Sequence, residues 1–265
     1  MTRPSRRQVL VEGRPVHYRV LGSVGEDVVL VHGLSGSWRW WRRVAPALAE
    51  RHSVHLLDLP GFGSVRSRGF RLAGASDWLG GWLEAAGLER AYLVGHSLGG
   101  LVCARLAAVA PERVAGLVLV APAGIPSGRS LLADVVPLVA TLGRMRPHLL
   151  GTVVADALRA GPATILRSAI ELARADVRSD LGRIAARTLL VWGEADALVG
   201  VALAESWRRE LTDARLAMLP RGGHVPMFDQ PEAFARVVLD FLAEGPQAAS
   251  TKNGTTTRAS ASGAA

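Results

Sequence analysis

The chain has 265 residues, of which 49% are hydrophobic and 20% charged, with one cysteine and a formal net charge of +8. This composition is that of an ordinary globular protein, and it excludes a collagen, a disordered chain and a disulfide-held scaffold. No uncharged stretch reaches the length of about 20 residues that a membrane helix needs. The apolar stretch after Arg7 is too short for an export signal, so we expect a cytoplasmic protein.

The excess positive charge does not indicate a nucleic-acid partner. Lys252 is the only lysine, and more than half of the excess lies in residues 1–10 and 246–265. The sequence contains no zinc-finger spacing and no RNA-binding signature. We therefore interpret the charge as a solvated basic surface, with a mild basic bias in residues 121–186.

Short apolar segments alternate with longer amphipathic ones along the first half of the chain. Residues 8–12 and 15–21 predict a hairpin that turns at Glu12-Gly13, and residues 27–32 contain an apolar run typical of a central strand. The segments that follow are predicted as helix 38–51, strand 54–57, helix 72–86, strand 91–95, helix 98–110 and strand 114–121. Because parallel strands need crossover connections, this alternation predicts a parallel sheet with helices on both faces.

The pattern changes after residue 121. Residues 122–186 indicate successive helices without a strand, and we predict that they form a helical cap inserted into a core made of residues 1–121 and 187–245. The second part of the core is predicted as strand 188–192, helix 201–211, strand 214–219 and helix 231–242. Residues 246–265 contain no large apolar side chain and are predicted to be disordered.

Residues 95–99, Gly-His-Ser-Leu-Gly, match the nucleophile-elbow pattern, in which a serine lies on a tight turn between a strand and a helix. The match alone is weak, and the alternative is a structural Gly-Ser turn. Here, however, an apolar strand precedes it and an amphipathic helix follows it, which is the required setting. We therefore predict that Ser97 is a nucleophile.

A serine hydroxyl is a poor nucleophile at neutral pH and needs a base that is oriented by a carboxylate. Of seven histidines, only His224 follows the last predicted strand, in a glycine-rich loop that favours a role as the base. The loop after strand 188–192 offers Glu194 and Asp196 as the carboxylate. Asp58 lies in Asp-Leu-Pro-Gly-Phe-Gly, which indicates a turn held by its side chain.

A negative tetrahedral intermediate needs two backbone donors. The amide of Leu98 would be one of them, because it lies at the start of the helix after the serine. The loop that begins at His32, directly after the most apolar strand, would supply the second through Leu34. The alternative for this loop is a turn that serves packing alone.

Five motifs in this order resemble those of the α/β-hydrolase superfamily, and within it the cap-bearing esterases, C–C hydrolases and haloperoxidase-like proteins. They are His32-Gly33, residues 58–63, residues 95–100, residues 193–196 and Gly223-His224. The resemblance spans residues 9–243 and implies the α/β-hydrolase fold, with an eight-stranded, mostly parallel sheet, flanking helices and a cap inserted after the sixth strand. It also implies that Asp196, rather than Glu194, is the acid of the triad. A serine nucleophile disfavours the haloalkane dehalogenase and epoxide hydrolase branches.

The substrate pocket is predicted from two kinds of side chain. Trp38 follows the oxyanion loop and would line the acyl side, and Met145 ends an apolar stretch of the cap that would face the serine. Both could instead pack in the core. An apolar lid favours a small-to-medium apolar ester. The eight arginines of the cap also suggest docking of an acyl carrier protein or a coenzyme A thioester, although cap charges are usually just solvated.

These motifs together predict a serine carboxylic-ester hydrolase that works through an acyl-enzyme on Ser97, with His224 as base and Asp196 as orienting acid. This chemistry requires no metal and no organic cofactor. One alternative is a C–C bond hydrolase of meta-cleavage-type products, which uses the same triad. Another, from a different class, is a low-turnover receptor for a small ligand on the same fold.

Overall fold

The computed structural model describes residues 3–65, 71–126, 140, 141, 143, 145 and 147–245. Its eight strands are β1 (Ser5–Val11), β2 (Arg14–Leu21), β3 (Asp27–Val31), β4 (Ser53–Leu57), β5 (Ala91–His96), β6 (Val114–Val120), β7 (Thr188–Gly193) and β8 (Ala214–Leu219). They form one sheet in the order β1-β2-β4-β3-β5-β6-β7-β8, in which β2 is antiparallel to both neighbours and the other pairs from β4 onward are parallel. The predicted mostly parallel, eight-stranded sheet is confirmed.

The strands form where the sequence places apolar side chains on one or both faces. Along β3, Val28 and Leu30 belong to one buried cluster while Val29 and Val31 belong to another, so both faces of this strand are covered. The predicted hairpin between β1 and β2 is confirmed. Its two turn residues, Glu12 and Gly13, both have positive φ angles of 50° and 71°, as a type I′ turn requires.

Helices cover both faces of the sheet. The α-helices are α1 (Ala45–Leu48), α2 (Ala75–Ala85), α3 (Leu98–Val109), α4 (Pro147–Ala160), α5 (Pro162–Ala173), α6 (Arg178–Leu181), α7 (Ala202–Glu210), α8 (Pro226–Asp229) and α9 (Pro231–Ala243). Side chains of α2, α3 and α7 fill the cluster on one face, and side chains of α1, α8 and α9 fill the cluster on the other. This is the doubly covered sheet that the alternating pattern predicts.

The prediction of one helix over residues 38–51 is wrong. The structure has a 3₁₀ helix over Trp38–Trp41 and then the four-residue helix α1. Ser37 caps the first helix by accepting a hydrogen bond from the Arg39 amide. Pro46 has no N–H group with which to continue a helix from the preceding turn, so a new helix begins there.

Helices α4, α5 and α6 lie between β6 and β7, and the described residues of this region contain no strand. The proposed cap boundaries, 122–186, stay a prediction, and the apolar cap residues 131–139 and 142 and the tail 246–265 lie outside the described residues. Within the described ranges, no single helix is both long and apolar enough to cross a membrane. Helices α4 and α5 reach that length and composition only as a pair, with a bend of 99° between them.

Candidate active site

The candidate catalytic residues lie at one edge of the sheet. Parallel strands present their carboxyl ends at the same edge, and the loops after β3, β5, β7 and β8 carry Leu34, Ser97, Asp196 and His224 respectively. In the sheet β3 lies next to β5 and β7 lies next to β8, with β6 between the two pairs. The fold thus places these four loops at the edge where ligands usually bind to open α/β sheets.

Ser97 occupies a strained turn between β5 and α3. Its φ and ψ angles are 51° and −114°, a conformation that costs of order 1–3 kcal/mol for a residue other than glycine. Hydrogen bonds fix it there: its amide donates to the Val120 carbonyl at 2.9 Å, and its carbonyl accepts from the Leu101 amide at 3.1 Å. Such over-determined strain is typical of a nucleophile elbow.

The glycines around Ser97 are needed for close contact between backbones. A Cβ atom on Gly95 would lie 2.5 Å from the carbonyl oxygen of Gly99. A Cβ atom on Gly99 would lie 2.5 Å from the carbonyl oxygens of Val31 and His32. Since these neighbours are main chain rather than flexible side chains, larger residues cannot be accommodated at either position.

His224 and Asp196 form a buried pair. His224 Nδ1 lies 2.9 Å from Asp196 Oδ2, and the carboxylate side chain is 0% exposed. The other oxygen, Oδ1, accepts hydrogen bonds from the Leu198 and Val199 amides, both at 2.9 Å. With Nδ1 donating to the carboxylate, Nε2 of His224 is left as the proton acceptor. Glu194, the other candidate acid, is exposed.

His96 joins the serine turn to the loop that carries His224. Its Nε2 lies 2.8 Å from the carbonyl oxygen of His224, and the two imidazole rings are 4.8 Å apart. Because a carbonyl can only accept, Nε2 carries the proton and donates it. Burial lowers the pKa of His96 well below its ordinary value, with the neighbouring His224 a smaller cause, so the ring is neutral. No local pattern in the sequence predicts this contact of His96, which is only the residue before Ser97.

The loop that contains Leu34 is held at its start by His32. The His32 ring is buried, accepts a hydrogen bond at Nε2 from the Leu59 amide at 3.0 Å, and donates from Nδ1 to the Gly33 carbonyl at 2.8 Å. Burial lowers the pKa of His32, which keeps the ring in the neutral form that both contacts need. The loop then turns sharply: the Gly36 amide donates to the Gly33 carbonyl at 3.0 Å, and Ser35 has a φ of 56°.

Leu98 is the first residue of α3. The first N–H groups of a helix have no partner within the helix, and the helix dipole favours negative charge at this end. The Leu98 amide therefore has the free N–H group and the favourable helix dipole that an oxyanion donor needs.

Asp58 occupies the turn that the sequence predicts for it. Its carboxylate accepts hydrogen bonds from the amides of Trp38 and Ser64 at 2.6 and 2.8 Å and from the Ser64 hydroxyl at 2.7 Å. It holds the backbone beside the candidate oxyanion loop. Trp38 itself lies beneath the Arg19 guanidinium, which is 4.0 Å from the ring centre.

A cavity of about 480 Å³ opens beside His224. Its lining includes Met145 and Leu149 from the region between β6 and β7, together with Val225. Trp38 is not one of the lining residues. The lining also includes Arg221, Asp229 and Gln230, and it does not include Ser97. The cavity therefore combines apolar and polar walls with the His224 imidazole at one side.

Metal ligands and thiols are two other kinds of group that could form a reactive site. Among the described residues, no three His, Cys, Asp or Glu side chains are grouped so that they could hold a metal ion. Cys103, the only cysteine, is buried in α3, and burial raises its pKa, so it is a poor nucleophile.

Comparison with known families gives one extensive match. Residues 28–237 match the model described as "Alpha/beta hydrolase family". The chain is also 31% identical over 257 residues to a 2-hydroxy-6-oxo-6-phenylhexa-2,4-dienoate hydrolase of Burkholderia cepacia, a match that covers 83% of this chain and 89% of the relative.

A second relative has a different substrate. The chain is 31% identical over 249 residues to a pimeloyl-[acyl-carrier protein] methyl ester esterase of Aeromonas hydrophila subsp. hydrophila, covering 82% of this chain and 96% of the relative. Among solved structures, the serine hydrolase of carbazole degradation called CarC superposes with a TM-score of 0.80 at 25% identity, covering 91% of this chain and all of that one.

Proposed function

Because the chain belongs to the Alpha/beta hydrolase family, we propose that it hydrolyses carboxylic esters through an acyl-enzyme formed on Ser97. The observation that carries the proposal is the 2.9 Å contact between His224 Nδ1 and the buried Asp196 carboxylate, beside the strained serine turn. This arrangement fixes the tautomer in which the outer nitrogen of His224 accepts a proton.

The reaction would proceed in two halves. Ser97 Oγ attacks the ester carbonyl carbon while His224 Nε2 takes the hydroxyl proton, and the amides of Leu34 and Leu98 bind the resulting oxyanion. The intermediate then expels the alcohol, which receives the proton from His224. Water, deprotonated by the same imidazole, attacks the acyl-enzyme carbonyl carbon. The carboxylic acid leaves as the bond to Ser97 Oγ breaks, and the imidazolium returns its proton to Oγ. Asp196 stabilises the imidazolium in both halves.

The cavity supports the choice of substrate class. Met145, Leu149 and Val225 would contact an acyl or alcohol group of small to medium size, and a volume of about 480 Å³ lies in the range of ordinary small-molecule sites. We therefore expect turnover of p-nitrophenyl esters, with the rate depending on acyl length from acetate to decanoate.

Replacement of Ser97 tests the proposal. We expect Ser97→Ala to lower kcat for p-nitrophenyl esters by about 10⁴-fold or more and to abolish labelling by a fluorophosphonate. Ser206→Ala, on the outer helix α7, is the matched serine control and should keep both activities. Wild-type turnover by folded Ser97→Ala would refute the proposed nucleophile.

A second candidate is C–C bond hydrolysis, which the similarity to the B. cepacia hydrolase favours. Such a dienoate substrate carries a carboxylate, and the cavity lining includes Arg221, which could pair with it. The decisive assay follows loss of 2-hydroxy-6-oxo-6-phenylhexa-2,4-dienoate by absorbance, next to p-nitrophenyl ester hydrolysis by the same preparation. If kcat/KM for the dienoate is far higher than for the p-nitrophenyl esters, C–C bond hydrolysis rather than ester hydrolysis is the function.

An acyl carrier protein is the partner suggested by the Aeromonas relative. Arginines between β6 and β7 would be its contacts, but Arg159, Arg178 and Arg183 are already paired with the carboxylates of Asp156, Asp176 and Asp180. Hydrolysis of an acyl-carrier ester at low and high salt tests the docking. A rate that does not depend on salt would exclude it, since exposed charge pairs are screened.

A further inference from the structure

Asp156 is a buried carboxylate in α4 that lies outside the proposed catalytic triad. Its side chain is 0% exposed although α4 lies on the surface, with Leu158 of the same helix 78% exposed. A buried carboxylate must be fully hydrogen-bonded to offset the cost of its desolvation. Its partners therefore indicate what it holds in place.

Both carboxylate oxygens are occupied. Oδ2 accepts a hydrogen bond from the Ser37 hydroxyl at 2.6 Å. Oδ1 accepts from the guanidinium groups of Arg39 and Arg159 at 3.3 and 3.2 Å. Ser37 is itself fully buried, and it is separated from Asp156 by 119 positions in the chain. The contact thus joins α4 to a loop of the core.

Ser37 ends the loop that begins at His32 and contains Leu34. Its carbonyl accepts from the Trp40 amide at 3.0 Å, and its hydroxyl also accepts from the Arg39 amide at 3.3 Å. The start of the loop is fixed by the two ring contacts of His32. The loop is therefore fixed at its first residue by the His32 contacts and at its last residue by α4, while Asp58 holds the amide of the next residue, Trp38.

We propose that Asp156 and Ser37 are positioning residues through which α4 holds the oxyanion loop in its active conformation. The inference rests on the proposed function, because it assumes that the Leu34 amide binds the oxyanion. Neither side chain needs to touch the substrate. Loss of their hydrogen bond would let the end of the loop move, and a misplacement of about 1 Å can cost about 100-fold in rate.

The same region supplies a matched control. Glu171 of α5 also reaches the core, where its carboxylate accepts from the Leu72 amide at 2.7 Å. Leu72 begins a 3₁₀ helix that is not part of the oxyanion loop. Glu171→Gln therefore weakens a comparable attachment of the α4–α5 region without touching the loop.

The experiment compares Ser37→Ala, Asp156→Asn and Glu171→Gln with the wild type. We expect kcat for a p-nitrophenyl ester to fall about 10- to 100-fold in the first two, with little change in KM, because an oxyanion donor acts mainly in the transition state. The double variant should lose no more than the worse single variant. Glu171→Gln should keep the wild-type kcat.

A trifluoromethyl ketone gives an independent readout, because it forms a hemiketal oxyanion on the serine. Its inhibition constant should rise with Ser37→Ala in the same proportion as kcat falls, and it should not change with Glu171→Gln. Equal effects of all three variants, or wild-type kcat in Ser37→Ala, would overturn the inference. If Asp156→Asn does not fold, Ser37→Ala carries the test alone, because it leaves both arginines on the carboxylate.

The control Ser97→Ala separates the two proposals. If Ser97→Ala is inactive and Ser37→Ala has wild-type kcat, only the positioning role fails. If Ser97→Ala retains turnover, the proposed function fails and the positioning role fails with it.

Discussion

Helices α3 and α4 both border the candidate site, but they are attached to the molecule in different ways. In α3, ten of twelve residues are buried, whereas α4 buries only Leu149, Val153 and Asp156. The first helix lies between strands and covering elements on nearly all sides. The second presents most of its surface to solvent and contacts the core along one narrow face.

The difference extends to the type of contact. At the start of α3, glycines let backbone approach backbone, so the position of Ser97 is fixed by steric contacts that no side-chain movement can relieve. In α4, the Asp156 carboxylate contacts the core through the Ser37 hydroxyl and the Arg39 guanidinium, and its third partner, Arg159, belongs to α4 itself. Ser97 is thus fixed by main-chain geometry, whereas α4 is held by exchangeable side chains. If the proposed function is correct, the lining supplied by α4 can change while the serine turn is retained.

The largest change in the free energy of unfolding is expected from adding one methyl group at the start of α3. In Gly99→Ala the new Cβ atom would meet the carbonyl oxygens of Val31 and His32 at 2.5 Å. Because neither backbone can move without disturbing the sheet, we expect a loss of about 3 kcal/mol or more in the free energy of unfolding. Urea unfolding followed by circular dichroism measures it.

The same substitution in α4 is the matched control. Gly151 is exposed within the helix, and a Cβ atom there would meet nothing within 4 Å. Gly151→Ala should therefore raise the free energy of unfolding by about 0.5–1 kcal/mol, since alanine has the higher helix propensity. If both substitutions destabilise the protein equally, the contrast between the two helices is wrong.

Much of the fold follows from local sequence because each strand carries its own signal. The apolar run of β3 and the turn at Glu12-Gly13 need no information from elsewhere in the chain. The predicted helix 38–51 failed because its end depends on Ser37 and on Pro46, which interrupt a pattern that periodicity alone extends. Periodicity indicates which face is apolar, whereas caps and prolines determine where a helix begins.

The candidate site likewise contains residues that a local pattern predicts and contacts that only the folded chain creates. The sequence predicts Ser97 and His224 because a glycine-rich turn after a strand is a local pattern, and the family resemblance favours Asp196 over Glu194. The contact of His96 with the His224 carbonyl, and that of Asp156 with Ser37, join segments more than 100 positions apart. No spacing within either segment predicts them, because only the folded sheet brings the partners together.

A change of intermediate size in the free energy of unfolding is expected when the pH is lowered, because two buried histidines lie at the sheet edge. His32 and His96 stay neutral in the folded protein because burial lowers their pKa, whereas in the unfolded chain each binds a proton below about pH 6.5. The unfolded state then binds more protons, so the free energy of unfolding falls as the pH decreases. The limiting slope is about 1.4 kcal/mol per pH unit for each histidine.

His96→Gln isolates one of these contributions, since glutamine can still donate to the His224 carbonyl but does not titrate. Urea unfolding between about pH 7 and pH 5 should give a shallower dependence for the variant than for the wild type. The relevant quantity is the difference between the two slopes, because carboxylates contribute equally to both. Identical slopes would show that His96 takes up its proton over the same pH range in the folded and unfolded protein, and would contradict the neutral buried ring.

The smallest effect is expected on the outer surface of α4 and α5. Leu158 and Leu166 are 78% and 63% exposed, so folding removes little of their apolar area from water. Hydrophobic stabilisation scales with the area that is buried, at about 25 cal/mol per Å². Leu158→Gln and Leu166→Gln should therefore each change the free energy of unfolding by less than about 0.5 kcal/mol, as measured by urea unfolding. A loss above about 1 kcal/mol in either variant would mean that this surface is covered in solution, and that α4 is attached by more than its narrow inner face.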